Sequence, residues 1–156
     1  PADICSGSRQ RSALSHRQQH IISKGHCISQ MIDYLFDNNL IENKEEFTKA
    51  VFDREEIMST GIGRGIAIPH GRSKCVNKLS CVFMTLNKEI DFDSIDGDPV
   101  QMVFMLAIPD HANNEYMKIL GQISKNMREN EQRDALIAVS SLEEAYQILK
   151  GIEDDI

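Results

Sequence analysis

The run TGIGRGIAIPHGR, from Thr60 to Arg72, is the part of the chain whose residue types and spacing could do chemistry. Gly61, Gly63, Gly65 and Gly71 lie within eleven positions, and backbone N–H groups beside glycine can approach a ligand with no Cβ in the way. Several such groups pointing into one concavity attract an anion, phosphate above all. Arg64 and Arg72 sit in the same run and could add bidentate contacts to phosphate oxygens. His70 follows Pro69, which fixes the local backbone and offers no N–H. Neutral imidazole is abundant near pH 7 because histidine titrates near pH 6.5. Its nitrogen can attack phosphorus and later release it. The glycines are spaced G-x-G-x-G and no GK[ST] follows, so neither a dinucleotide fingerprint nor a P-loop is met. The residues by themselves leave two readings open: an anion-binding loop around a nucleophilic histidine, or a turn holding a capping or core histidine.

Those residues need a scaffold. Residues 1–22 show no sustained apolar period and read as an irregular or partly disordered leader, ahead of one domain over 23–156. A helix begins near Ser23, since Ile28, Met31, Ile32 and Leu35 fall at i, i+3, i+4 and i+7, and Asn38 and Asn39 stop it. Asn43 with Glu46 three residues on is a capping-box-like start for a second helix through Phe47, Ala50 and Val51 to about Met58. Ile66, Ala67 and Ile68 form a short apolar strand. Residues 79–86 and 100–108 read as buried strands, separated by the Asp-rich loop DFDSIDGDP. A third helix spans about 113–128, with Tyr116, Ile119, Leu120, Ile123 and Met127 on one side. A short apolar run at 135–139 and a helix capped by Ser141 with Glu144 complete the domain. Interleaved helices and doubly buried strands predict an α/β sandwich, with a mixed sheet of roughly five strands flanked by helices.

Composition narrows the function. The 156 residues are 41% hydrophobic and 26% charged, as in a globular domain. Seventeen basic against 24 acidic residues give a net charge of −7, which argues against a nucleic-acid binder. No apolar stretch approaches the roughly 20 residues that span a bilayer, so work at a membrane would go through a docked partner. Cys5, Cys27, Cys75 and Cys81 match no zinc spacing and read as free thiols in a reducing cytoplasm.

TGIGRGIAIPHGR closely resembles the active-site motif of fructose/mannitol-type enzyme IIA domains of the bacterial phosphotransferase system (PTS), with their nitrogen-regulatory branch. The resemblance continues through DREEIMSTGIG, IDFDSIDGDPVQMVFMLAIP and SSLEEAYQILK, and covers about residues 23–152. It implies a mixed-sheet α/β sandwich in which His70 takes a phosphoryl group from the phosphocarrier HPr and hands it to a IIB domain. It places Arg54, sixteen residues earlier, beside the phosphohistidine, where a guanidinium would neutralise phosphoryl oxygens. Thr60 and the backbone of Gly61, Gly63, Gly65 and Gly71 are the remaining donors by the same resemblance. No metal and no cofactor beyond the phosphoryl group itself is implied, and a homodimer is left open.

Two departures stand out. The family begins with an apolar strand where this chain has the polar SHRQQH at 15–20. Tyr116 occupies the position of the family's second active-site histidine, and His111 nearby reads as an exposed loop residue. Two functions remain: a phosphoryl carrier of sugar uptake, or a regulatory module whose phosphorylation state is read by partner proteins.

Overall fold

A computed structural model describes residues 23–112 and 115–128. Ser23 caps helix α1 (Lys24–Asp37), its Oγ accepting the His26 N–H at 3.1 Å. Asn38 ends that helix, and Asn39 takes the left-handed φ of 60° that turns the chain away. Asn43 opens helix α2 (Lys44–Ile57), its Oδ1 accepting the Glu46 N–H at 3.0 Å. The Glu46 carboxylate turns to Ser73, whose Oγ donates to it at 2.9 Å, and so ties the helix to a strand.

Five strands follow: β1 (Gly61–Gly63), β2 (Ile66–Ala67), β3 (His70–Ser73), β4 (Ser80–Ile90) and β5 (Val100–Pro109); helix α3 (Glu115–Arg128) comes after them. β5 is the axis of the sheet. β4 runs antiparallel along one side of it, β2 and β3 run parallel along the other, and β1 pairs antiparallel with β2. Ile66 lies opposite Met102 and His70 opposite Leu106, so the register is unchanged across Ile68 and Pro69. Residues 66–73 are therefore one strand line with a break in it. The Pro69 carbonyl, accepting the Leu106 N–H at 3.0 Å, holds the broken segment to β5.

Alternation along the strands sorts the core into two layers. Val103, Met105 and Ala107 of β5 join Val82 and Met84 beneath α1 and α2, around Phe47 and Val51. Phe104, Leu106 and Ile108 join Ile66, Ile68 and Phe83 beneath Ile119, Ile123 and Met127 of α3. The expected mixed sheet flanked by helices is what forms.

The glycine-rich run differs from its expectation. One strand was expected there, over 66–68; the structure adds β1 and β3, and it sets His70 in a strand rather than a loop. The strand expected over 79–86 continues to Ile90. Cys27, Cys75 and Cys81 are buried thiols outside any disulfide; burial pushes the Cys27 thiol up to about 12, which keeps it unreactive. No described helix is long and apolar enough to cross a membrane. The leader, Cys5, SHRQQH, the 135–139 run and the helix at Ser141 lie outside the described residues.

Candidate functional site

His70 is the first residue of β3 and is half-buried. Its Nδ1 lies 3.0 Å from the Ile68 carbonyl oxygen. A carbonyl can only accept, so Nδ1 carries the proton, and in the neutral ring Nε2 keeps its lone pair. Burial pushes the imidazole pKa below the ordinary 6.5, and the Arg54 charge pushes the same way, while the Ile68 carbonyl and Glu55 oppose them. The ring is accordingly neutral at pH 7. Among the described residues β5 is the only ladder partner of β3.

Gly71 explains how the strand meets its helix. A Cβ there would lie 2.9 Å from Val51 Cγ2 and 3.2 Å from the Val51 nitrogen, so β3 lies directly against α2. The last turn of α2 carries Arg54. Its Nη1 donates to the Met58 carbonyl at 2.8 Å, closing the helix end, while its charge reaches His70. The structure thus brings His70 and Arg54 into one electrostatic neighbourhood.

Thr60 and the other glycines are placed differently from a phosphate nest. Thr60 is buried, and both of its donors go to Glu55: the N–H at 3.2 Å, and the hydroxyl in a close hydrogen bond. The Gly61 N–H goes to Ser59 Oγ at 3.0 Å. Gly63 and Gly65 have φ of +99° and +80°, with Arg64 at +57° between them; these conformations make the turn joining β1 to β2. The Arg64 N–H donates to Asp96 Oδ2 at 3.0 Å. Three glycines build a hairpin, and the fourth admits a helix.

Arg72 is also committed. Its Nη2 donates to the Asp110 and Ala112 carbonyls at 2.9 and 2.8 Å, and its guanidinium lies over the Tyr116 ring, 5.7 Å from the centroid. Tyr116 is therefore beside Arg72, which is two residues along β3 from His70 and on the same face, about 7 Å away at strand spacing. His111 is an exposed residue of the turn after β5. A cavity of about 500 Å³ lies between the hairpin and α3, lined in part by Ile62, Arg64, Asp96 and Met127; His70 does not line it.

Glu55 went unread in the sequence, although it is buried beside these groups. Phe47, Val51 and Glu55 fall at i, i+4 and i+8 on one helix face, and that spacing is the signal that could have found it.

The sequence and the fold are shared with known proteins. A model of the family described as "Phosphoenolpyruvate-dependent sugar phosphotransferase system, EIIA 2" matches residues 11–152. The chain is 31% identical over 126 residues to the PTS system fructose-specific EIIABC component of Bacillus subtilis, covering 81% of this chain and 20% of that protein. It is 39% identical over 102 residues to the nitrogen regulatory protein of Pseudomonas aeruginosa, covering 65% of this chain and 66% of that protein. It therefore spans about a fifth of the first relative and just under two thirds of the second. The crystal structure of nitrogen regulatory protein IIA-Ntr from Neisseria meningitidis is similar, with a TM-score of 0.78 and 31% identity, covering 83% of this chain and 88% of that one.

Proposed function

The chain belongs to the EIIA 2 family of the phosphoenolpyruvate-dependent sugar phosphotransferase system, and on that premise we propose that it carries a phosphoryl group on Nε2 of His70. The observation that supports this reading is the Ile68 carbonyl at 3.0 Å from Nδ1. It holds the proton on one nitrogen and leaves the other free to attack. Nε2 attacks phosphorus in line, the donor's P–N bond breaks, and its electron pair returns to the donor imidazole of an HPr-like carrier. The new charge on the ring is shared with Nδ1–H, which the Ile68 carbonyl already accepts. Arg54 offsets charge on the phosphoryl oxygens, with no metal or further cofactor taking part. Thr60 and the four glycines serve by shape. The group then passes to the IIB domain of a sugar permease of the fructose/mannitol type, in the cytoplasm.

A second reading has its own support. The nitrogen regulatory relative is the more similar over its matched length, at 39% against 31%, and Tyr116 brings no cation to the site. In that reading phospho-His70 is recognised by a regulatory target. Incubation with phosphoenolpyruvate, enzyme I and HPr tests both. Acid-labile, alkali-stable label should appear on the wild-type protein and be absent from His70→Ala. A folded His70→Ala protein that still takes label overturns the carrier reading. Rapid discharge to a IIB domain supports transport, and retention of the label against IIB domains supports regulation.

A further inference from the structure

Glu55 is a buried carboxylate that the transfer chemistry does not use. Its Oε2 accepts from Lys24 Nζ at 2.8 Å and from the Thr60 N–H at 3.2 Å, while its Oε1 accepts the Thr60 hydroxyl. Lys24 stands in the first turn of α1 and Glu55 in the last turn of α2. Each charge is on the end of its helix where the dipole disfavours it, so local helix energetics explain neither. A buried ion pair is also weak evidence for stability, since apolar residues of like size often serve as well. What the pair holds is more telling. The Thr60 carbonyl accepts the Ile68 N–H at 3.0 Å, and the Ile68 carbonyl accepts the His70 Nδ1–H at 3.0 Å. Five residues, Lys24, Glu55, Thr60, Ile68 and His70, are thereby joined in one hydrogen-bonded line that ends on the imidazole.

We infer that Glu55 is a positioning residue for His70: through Thr60 and the Ile68 peptide it fixes the Nδ1–H tautomer and aims Nε2 outward. Lys24 pairs with Oε2 at 2.8 Å, and both carboxylate oxygens accept from Thr60. The two oxygens clamp Thr60 at the entry to β1, the Thr60 carbonyl holds the Ile68 N–H just before the strand break, and the Ile68 carbonyl sets the ring. This inference rests on His70 as the phosphoryl acceptor, but its central measurement needs no phosphate.

The test uses the full chain and 15N NMR of the histidine side-chain nitrogens. The wild-type protein should show His70 in a single Nδ1–H tautomer. Lys24→Met/Glu55→Leu removes both charges and the acceptor while keeping the space filled. It should give a tautomer mixture and transfer from phospho-HPr slowed roughly 10- to 100-fold, as when the outer partner of a held histidine is removed. Glu55→Gln keeps an oxygen for the Thr60 N–H, and the Thr60 hydroxyl can turn to accept from the new amide, so this variant should restore both readouts. A folded double variant with the wild-type tautomer and rate overturns the inference. Thr60→Val, which leaves the ion pair intact, decides the matter if the double variant does not fold: a partial tautomer shift supports the line, and an unchanged tautomer overturns it. A tautomer that responds as expected in a protein whose His70 takes no label would overturn the acceptor reading alone.

Discussion

Residues 60–65 and residues 69–73 belong to the same glycine-rich run, and their hydrogen bonds point in different directions. In the first stretch the Thr60 donors go to Glu55, the Gly61 N–H to Ser59, the Arg64 N–H to Asp96, and the Gly65 carbonyl to Gln101 and Met102. In the second, one edge of the strand is fixed to β5, with a half-buried imidazole at its start. Glycine density marks both stretches, yet only the second presents a reactive atom. The lesson is that these glycines record where backbone must turn or touch, and that the chemistry follows from which atom is left uncommitted.

The sharpest way to test that contrast is Arg54→Lys, which keeps the charge near His70 but loses the planar fork. Transfer from phospho-HPr should slow by about 10- to 1,000-fold, by analogy with single donors removed from an anion-stabilising site. Rapid-quench kinetics measure this, and an unchanged rate in a folded variant would reduce Arg54 to a helix-end residue.

A pair of glycine substitutions separates the two stretches next. Gly71→Ala drives a methyl into Val51 side chain and backbone, and should cost about 1–3 kcal/mol in urea denaturation while slowing transfer, because β3 moves off the helix that bears Arg54. Gly65→Ala meets no close atom but must hold φ at +80°, at about 1–2 kcal/mol, and transfer should stay near the wild-type rate. Slowing by both to the same degree would erase the distinction between shape and chemistry.

The smallest effect is on pH dependence, where the two stretches part again. The His70 pKa is lowered from 6.5 in the fold, so below pH 6.5 the unfolded chain binds the proton first. Stability then falls as the pH drops from 6.5 toward the folded value, and acceptor activity holds through pH 6.5 before declining. Asp96 is also lowered, from 3.8, chiefly by the Arg64 N–H and then by the Asp98 N–H. Its contribution is present above 3.8 and is lost as the pH falls through the folded value. His70→Gln should remove the first limb of a stability–pH curve and Asp96→Asn the second, in denaturation series from pH 7 to 3. A His70→Gln curve that keeps its limb near pH 6 would assign that limb elsewhere.

Much of the scaffold was legible because it obeys local rules. Ser23 and Asn43 sit where caps belong and do cap, and the apolar runs of β4 and β5 read as strands because both their faces are covered. β3 was illegible for a related reason. Its inward positions are Gly71 and Ser73 rather than Val or Ile, since α2 packs too closely for larger side chains, and the alternation that betrays a strand is missing. The glycine spacing suggested a nest because spacing says nothing about which N–H groups are already taken. Tyr116 was placed near the histidine and is found over Arg72, a contact that depends on how α3 docks and not on any local pattern. Glu55 looked like one more acid in DREE; only its phase relative to Phe47 and Val51 distinguishes it from Glu56, which is exposed.

The unbroken register across Ile68 and Pro69 has a consequence for how this molecule can change. Side chains along a strand alternate, so deleting or inserting one residue between Ala67 and His70 would swing the imidazole to the side of α2. The four-residue step from Ile66 to His70 therefore behaves as a fixed interval: its side chains can be exchanged, but its count cannot.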